Sequence, residues 1–371
     1  MITEQIRDLA TRSDSVGPFL SFYIDTNRQS EGDRERIRVS LKDEIRKIRE
    51  AVASTDGQDD GFGRALKSIE DYMERSLSPA ARGVVFFVCP AEGFFRAVEL
   101  PFTVRTEARV NSRPYLKPLT LLRQENPSAL IVLVDAKSAR LFALEFGQVL
   151  YELDLENPDL PRRHDQGGWS QANLQRHVQD HIDRHHKEVA EVLARRVDGG
   201  TFTGVVLCGQ ERNVANFRTF LPKRVDESVL GTLHLDIRAT AEEVISACRG
   251  LLWAHREGVL AGRLRTLEEA TRKNGPGALG LDRVIDAVNE RRLMQLFLRR
   301  NLEATGWMCN DCGMIGQAVP LGCPACGGTV STVDLVEHLM SAAHRESASV
   351  NIVSDPSLLE KYGGVGALLR F

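Results

Sequence analysis

Two closely spaced pairs of cysteines are the feature that most constrains how this chain can fold. Cys309 and Cys312 form the first pair, and ten residues further on Cys323 and Cys326 form the second. Each pair can hold one side of a metal ion, and four thiolates complete a tetrahedral Zn²⁺ site with no open position. Glycine follows the second cysteine of each pair, which allows a tight knuckle turn. The spacing predicts a structural zinc module at 307–330, with an iron centre or free thiols as the alternatives.

The other three cysteines, Cys89, Cys208 and Cys248, stand alone in the sequence. Cys89 and Cys208 each end an apolar run typical of a strand. We expect all three to be small, buried hydrophobic side chains. In an intracellular chain the clustered cysteines should also stay reduced.

The totals indicate a globular chain with more than one core. At 371 residues, 42% of them hydrophobic, two or three domains are expected. No apolar run approaches the ~18 residues that span a bilayer, and the first residues lack the pattern of a signal peptide, so a cytoplasmic protein is expected. The formal charge of −3 argues against a surface covered by nucleic acid. The charge does not exclude a local basic patch, and five of the nine histidines lie between His164 and His186.

Hydrophobic periodicity and turn residues predict three domains. The first, 1–126, has the pattern of an α+β domain. The second, 127–237, begins with an apolar strand and contains a long helix, and the third, 238–371, carries the zinc module. We therefore expect a multidomain α+β or α/β fold with mixed sheets and a zinc-ribbon insertion in the third domain.

The pattern also predicts the individual elements of these domains. Strands are expected at 19–24, 83–89, 93–99, 102–110, 129–135, 139–146, 149–155, 203–208 and 292–298, followed by two closing strands. Helices are expected at 33–53, 62–77, 115–125, 172–197, 239–271, 281–290 and 334–345.

A basic loop that contains paired glycines stands at 162–171, within the second domain. It reads Arg-Arg-His-Asp-Gln-Gly-Gly-Trp-Ser-Gln. Gly167 and Gly168 let the backbone take positive φ angles and approach another molecule closely. A helical stripe follows at Leu174, Val178, Ile182, Val189 and Leu193, and Ser170 or a neighbour can cap this helix. Packing alone does not explain a flexible basic loop that ends in Gln171, so we expect it to have a function.

These residues resemble the central domain of the archaeal and eukaryotic class-one peptide-release factors. The hallmark of that family is a Gly-Gly-Gln loop preceded by basic residues, and its following helix carries an Arg-His pair that Arg184-His185 match. The C-terminus resembles the family a second time. Val350–Ser354 match its closing strand, and Tyr362–Phe371 match its Gly-Gly-Ile-x-x-x-Leu-Arg-Tyr ending.

The resemblance implies that Gln171 is the catalytic glutamine and that Gly167 and Gly168 let the loop enter a crowded RNA site. The family hydrolyses the ester of peptidyl-tRNA. A neutral amide is a poor general base, so the glutamine would position water and donate N–H groups to the developing oxyanion. In this chain Trp169 and Ser170 separate the glycines from Gln171. Two extended residues reach up to roughly 7 Å, so catalysis depends on how compactly the loop folds.

The residues around the loop predict contacts with RNA. Arg162, Arg163 and His164 are expected to contact phosphates, with solvated loop charges as the alternative. Trp169 could stack on an exposed base or pack against the following helix. On that helix a polar stripe is expected to face RNA, with an ordinary solvated face as the alternative: Arg176, His177, Arg184, His185 and Lys187. His177, His181 and His185 lie at i, i+4 and i+8, which also permits a metal site.

The resemblance thus implies a ribosome-associated protein that enters the A site and hydrolyses peptidyl-tRNA on stalled ribosomes. Its expected partners are rRNA, tRNA and a translational GTPase, and it is expected to be a monomer without membrane contact. The family's stop-codon motif Asn-Ile-Lys-Ser is absent, and the acidic segment 54–61 that would stand in its place repels phosphates. Stop-codon reading is therefore not expected.

Two alternatives remain. One is a non-catalytic ribosome-hibernation factor that occupies the A site, similar to Balon, and the other is action on free tRNA. In the first domain, the basic side chains between Arg34 and Arg49 alternate with acidic ones. This alternation favours a salt-bridged solvent face over contact with ribosomal RNA.

Overall fold

The computed structural model describes residues 6, 8–10, 12, 18–27, 32–53, 59–145, 148–156, 171–199, 202–272, 275–355 and 359–371. This part of the chain combines helices with four sheets, which confirms a mixed α+β fold. It divides into two compact units: unit 1 joins Met1–Leu121 to Gly262–Phe371, and unit 2 is Leu122–Ala261. The three-domain division stays a prediction.

The first part of unit 1 is a four-stranded antiparallel sheet covered on one face by two helices. Its strands are β1 (Phe19–Asp25), β2 (Gly83–Cys89), β3 (Phe94–Leu100) and β4 (Glu107–Asn111), and its helices are α1 (Gly32–Ala53) and α2 (Asp59–Arg75). The strand order is β3-β2-β1-β4. Of the two strands expected after β2, only β3 pairs with it, because β1 occupies the other edge of β2 and pairs with β4.

Helix α1 shows why this layer forms. Its buried residues Ile37, Leu41, Ile45 and Ile48 recur at helical spacing and pack on the sheet. The opposite face carries ion pairs one turn apart, such as Arg46–Asp43 at 3.3 Å and Arg38–Glu35 at 3.8 Å. These pairs confirm the salt-bridged solvent face predicted for this helix.

Unit 2 is built on a mixed five-stranded sheet. Helix α3 (Lys117–Glu125) leads into strands β5 (Ala129–Val134), β6 (Ser138–Glu145), β7 (Gln148–Glu156), β8 (Val205–Gly209) and β9 (Val229–Leu233). The order is β7-β6-β5-β8-β9. Strands β6 and β7 pair antiparallel, and β5, β8 and β9 run parallel.

Both faces of this sheet are covered by helices. The helices are α4 (Gln171–Asp198), α5 (Glu211–Arg218), α6 (Lys223–Asp226) and α7 (Ala241–Arg272). Because side chains alternate along a strand, Leu130 and Val132 face α4, whereas Ile131 and Leu133 face α7. Helix α7 continues past Ala261 into unit 1. Among the described residues, no helix is both long and apolar enough to cross a membrane.

The second part of unit 1 holds the C-terminal sheet and a small separate sheet. The elements are β10 (Gly277–Leu279), α8 (Leu281–Asn289), β11 (Leu293–Arg299), β12 (Thr305–Cys309), β13 (Ile315–Gly316), β14 (Val330–Asp334), α9 (Leu335–Arg345), β15 (Ser349–Val353) and β16 (Val365–Leu369). The larger sheet has the order β10-β16-β11-β15, and the smaller one has the order β13-β12-β14. Helices α8 and α9 pack with the larger sheet in one core. The two predicted closing strands are β15 and β16.

A buried polar network joins the two parts of unit 1. The backbone N–H of Leu116 donates to Oε2 of Glu337 on α9 at 3.1 Å. One turn further along α9, Ser341 accepts from the buried guanidinium of Arg113 at 3.0 Å and donates to the carbonyl of Ala10. Burial raises the pKa of Glu337 to about 8, from an ordinary value of 4.5. An acidic side chain thus lies in the core where it accepts a backbone hydrogen bond.

Candidate functional site

The glycine loop precedes the first described residues of α4. The predicted contacts of Arg162, Arg163, His164, Gly167, Gly168 and Trp169 lie outside the described residues. The described chain resumes at Gln171, where α4 begins. Gln171 is therefore the first helical residue, with Trp169 and Ser170 between it and the glycines. Its catalytic role stays a prediction.

Beyond Gln171, α4 carries an exposed polar face. Arg176, His177, Arg184 and Lys187 are all exposed. The Arg184 guanidinium donates to Nδ1 of His181 at 2.6 Å, so His181 accepts at this nitrogen. The His177 and His181 rings are 4.6 Å apart. This face can offer cationic and imidazole donors to a phosphate-rich partner, and its contact with RNA stays a prediction.

His185 differs from the exposed stripe that the sequence predicted. It is 3% exposed, because α4 packs against the sheet of unit 2 from this residue onwards. Burial lowers the pKa of His185, which favours the neutral imidazole. His185 therefore contributes to the packing of α4 on the sheet, and it does not lie on the surface with Arg184. Because His185 is buried, His177, His181 and His185 do not form one exposed group.

A polar network next to His185 holds α4 against α5, and the sequence analysis did not predict it. The Asn216 amide donates to Oδ1 of Asp183 at 3.1 Å and lies 3.2 Å from Nδ1 of His186. Nε2 of His186 lies 3.4 Å from the carbonyl of Asp135, whose carboxylate accepts from Asn213 at 2.7 Å. The His186 ring also packs on Phe217, and burial lowers its pKa.

One signal for this network was visible in the sequence. Asp135 directly follows the apolar run of β5, and polar residues that follow parallel strands meet at one edge of the sheet. His186 gave no such signal, because its burial depends on how α4 is rotated on the sheet.

Four cysteines lie together in unit 1 and are positioned to hold a metal ion. The sulfur atoms of Cys309, Cys312, Cys323 and Cys326 lie within 4.8 Å of one another. Within the described ranges this is the one group of three or more His, Cys, Asp or Glu side chains with such geometry. The alternative metal site on α4 therefore finds no support, because its three histidines do not converge.

The backbone explains the convergence of the four sulfurs. Gly313 and Gly327 take φ angles of 74° and 76°, and each donates its N–H to the carbonyl of the first cysteine of its pair. These are the knuckle turns predicted from the glycine spacing. The N–H of Cys312 also points at the Cys309 sulfur at 3.5 Å, and such a contact favours the thiolate form that a metal requires. Trp307, Met314 and Val330 pack around the buried sulfurs.

Comparisons with known proteins support the resemblance to release factors. Residues 114–249 match the model of the "Bacterial archaeo-eukaryotic release factor family 10". This range contains the sheet of unit 2, the glycine loop and α4. Peptide chain release factor subunit 1 of Picrophilus torridus is 20% identical over 410 residues, which cover 99% of this chain and 95% of that protein. The chain is release-factor-like.

Two further proteins are similar to this chain over nearly its whole length. An uncharacterized protein of Mycobacterium tuberculosis is 25% identical over 386 residues, which cover 100% of this release-factor-like chain and 97% of that protein. A structure described as ribosome-bound archaeal Pelota with ABCE1 aligns with 99% of this chain and 94% of that one, at 14% identity and a TM-score of 0.42. Because that TM-score is low, the similarity to release factors rests on the sequence matches. They confirm the family resemblance read from the motifs.

Proposed function

We propose that this release-factor-like protein associates with the ribosome and hydrolyses peptidyl-tRNA on stalled ribosomes without reading a stop codon. The observation that carries the proposal is the glycine loop that leads into Gln171 at the start of α4, within the range matched by the family model. The full-length similarity to an archaeal peptide chain release factor supports a role in translation.

In this reaction water adds to the ester carbonyl of peptidyl-tRNA, the bond to the terminal ribose oxygen breaks, and that oxygen takes up a proton. Gln171 would position the water and donate an amide N–H to the developing oxyanion. Gly167 and Gly168 would let the loop approach the ester closely. Each of these roles needs the loop to bring Gln171 within hydrogen-bond distance of the reacting atoms.

The basic residues around the loop would hold the tRNA and the surrounding rRNA. Arg162, Arg163 and His164 would contact phosphates, and Trp169 would stack on a base. The exposed face of α4 supports an RNA contact by further side chains: Arg176, His177, Arg184 and Lys187. His185 would act indirectly, by holding α4 on the sheet.

Zn²⁺ is the metal that fits the cysteine cluster best, because four converging thiolates leave no open position for chemistry. The ion would be structural and would hold the small sheet of unit 1 together.

We further expect a monomer that works with a translational GTPase and makes no membrane contact.

The alternative is a non-catalytic hibernation factor that occupies the A site. One observation favours it: two residues separate Gly168 from Gln171, and Gln171 already belongs to a helix. A glutamine fixed to α4 can reach the ester only if the whole helix approaches it. The two functions therefore differ in one measurable step, which is release of the peptide.

The deciding experiment measures release of labelled peptide from purified stalled ribosome complexes. The wild type is compared with Gln171→Ala and with Gln179→Ala, which removes an exposed glutamine from the same helix and serves as the matched control. Hydrolysis predicts release by the wild type and Gln179→Ala, and loss of release by Gln171→Ala with ribosome binding intact. Tight binding without release by any of the three proteins would instead support the hibernation factor. Release that is equal in all three would contradict the role of Gln171.

A further inference from the structure

Two cysteines outside the metal cluster lie side by side in the core of unit 2. Cys208 is on β8 and Cys248 is on α7, and their sulfur atoms are 3.8 Å apart. Both side chains are 0% exposed, as the sequence predicted for solitary cysteines. The sequence gave no reason to pair them, because 40 residues separate them. The fold brings them together where α7 packs on the sheet.

The surroundings of this pair fix both sulfurs in place. Cys208 belongs to a strand that is buried along its whole length, and Val244 and Leu252 flank Cys248 on the buried side of α7. A disulfide requires a sulfur–sulfur distance of about 2.05 Å, so an approach of roughly 2 Å is needed. A small shift of α7 or a change of side-chain rotamer can supply that approach.

The two thiols share a hydrogen bond in which either S–H can donate to the other sulfur. The thiolate is the form that attacks an oxidant. Whichever thiol is oxidised first, the other stands beside it in the position of a resolving cysteine.

We propose that Cys208 and Cys248 are a redox modification site that forms a reversible intramolecular disulfide with peroxide as the oxidant. One of the two sulfurs attacks hydrogen peroxide, the O–O bond breaks, and one water leaves, which gives a sulfenic acid. The neighbouring sulfur then attacks the oxidised sulfur and expels the second water. Two thiols lose two hydrogens and two electrons in total, and one peroxide becomes two waters. A dithiol reductant reverses the reaction by exchange.

The disulfide would tie α7 covalently to the sheet of unit 2. Because α7 continues past Ala261 into unit 1, the tie would anchor the connecting helix at its first turns. Oxidation would then restrict local opening of α7 without adding a ligand. Burial makes the reaction dependent on such opening, so a low concentration of denaturant should accelerate it.

The test maps cysteine oxidation in the full-length, metal-loaded protein. The reduced protein is treated with hydrogen peroxide, alkylated under denaturing conditions and digested with trypsin. We expect the peptides 197–212 and 239–249 to be linked by a disulfide, with loss of both alkylatable thiols and full recovery after reduction. Cys89, which is also buried, is the matched control and should remain a thiol.

The proposal is overturned if Cys208 and Cys248 remain fully alkylatable after the cluster cysteines have been oxidised. It is equally overturned if they acquire oxygen without becoming linked. A second measurement compares amide hydrogen exchange in α7 before and after oxidation. Exchange should slow between Val244 and Leu252 in the wild type and stay unchanged in Cys208→Ser. Slowing that is the same in both proteins would contradict a tie through this pair.

Discussion

Replacing Glu337 by glutamine should stabilise unit 1 at neutral and alkaline pH. Glu337 is 2% exposed and accepts the Leu116 N–H through Oε2, whereas its Oε1 has no hydrogen-bond partner in the described structure. Desolvation raises its pKa to about 8, which outweighs the opposing effects of the Leu116 N–H and the nearby cations Lys117 and Arg109. Glutamine is a neutral side chain of the same shape and keeps an oxygen for the Leu116 N–H.

The expected magnitude follows from proton linkage. In the unfolded chain the carboxyl ionises near 4.5, whereas in the folded protein it stays protonated up to about 8. The contribution of the protonated carboxyl to the free energy of unfolding is thus fully present below the unfolded pKa of 4.5. It is lost as the pH rises from there through the folded pKa of about 8. Each pH unit in this window lowers the free energy of unfolding of the wild type by about 1.4 kcal/mol. The advantage of Glu337→Gln should therefore be about 2 kcal/mol at pH 6 and approach about 5 kcal/mol above pH 8.

Urea unfolding between pH 6 and 8.5, followed by the fluorescence of Trp307, measures this difference. Trp307 is buried in unit 1, as Glu337 is, and replacing Trp169 and Trp253 by phenylalanine leaves it as the only tryptophan. The difference between variant and wild type at each pH removes effects that both proteins share, including metal binding. As a control, Glu269→Gln removes an exposed carboxyl of α7 in unit 1 and should change stability by less than about 0.5 kcal/mol.

A difference that does not vary between pH 6 and 8.5 would refute this reasoning, because it would mean that Glu337 has the same protonation state in the folded and unfolded chains. If Glu337→Gln is in addition the less stable protein, the buried carboxylate is ionised and paired with a cation. The pH dependence of the difference and its sign therefore separate a neutral buried acid from a buried ion pair.

Three further perturbations test the described structure. The protein should bind one Zn²⁺ per chain by elemental analysis, and Cys309→Ser should lose the metal and expose Trp307, which a red shift of fluorescence reports; iron in the purified protein would contradict the assignment. Asn216→Ala should lower the free energy of unfolding, measured by thermal unfolding, by about 1–2 kcal/mol, because it removes contacts to Asp183 and His186. The control Gln179→Ala should lower it by less. Gly209→Ala should lower the free energy of unfolding by about 2 kcal/mol or more, because Gly209 has a φ of 143° and a Cβ would lie 2.3 Å from the Val134 carbonyl oxygen. Gly258→Ala, at a position on α7 where a Cβ meets open space, should instead raise the free energy of unfolding by about 0.5–1 kcal/mol.

Local patterns predicted most of the elements of this fold. The strand at 83–89 and the helices at 33–53, 172–197 and 239–271 were expected within two residues of their observed ends. In each case a long periodic or apolar run determines the element without help from tertiary contacts. The knuckle turns at Gly313 and Gly327 were also expected, because the geometry of a metal site is fixed by cysteine and glycine spacing.

Elements that depend on distant partners were not predicted. Helix α5, strand β9 and the three-residue strand β10 are short, and each is stabilised mainly by packing or by one neighbouring strand. The pairing of β4 with β1 is likewise a property of sheet order. The burial of His185 also depends on distant partners. Periodicity places the histidines on one face of α4 but does not predict at which residue the helix begins to pack on the sheet.

The burial pattern of α4 connects its stability to the proposed chemistry. No residue described between 176 and 184 is buried, whereas His185, His186, Val189 and Ala190 are. Fourteen residues separate Gln171 from His185, which is about 21 Å of helix. A rotation of about 5° around the buried base would therefore move Gln171 by about 2 Å, and a misplacement of 1 Å can cost about 100-fold in rate. The contacts of Asn216 with Asp183 and His186 lie at this base. If Gln171 is catalytic, Asn216→Ala should reduce peptide release even though Asn216 lies far along the chain from the loop. If the protein only occupies the A site, the same substitution should leave ribosome binding nearly unchanged.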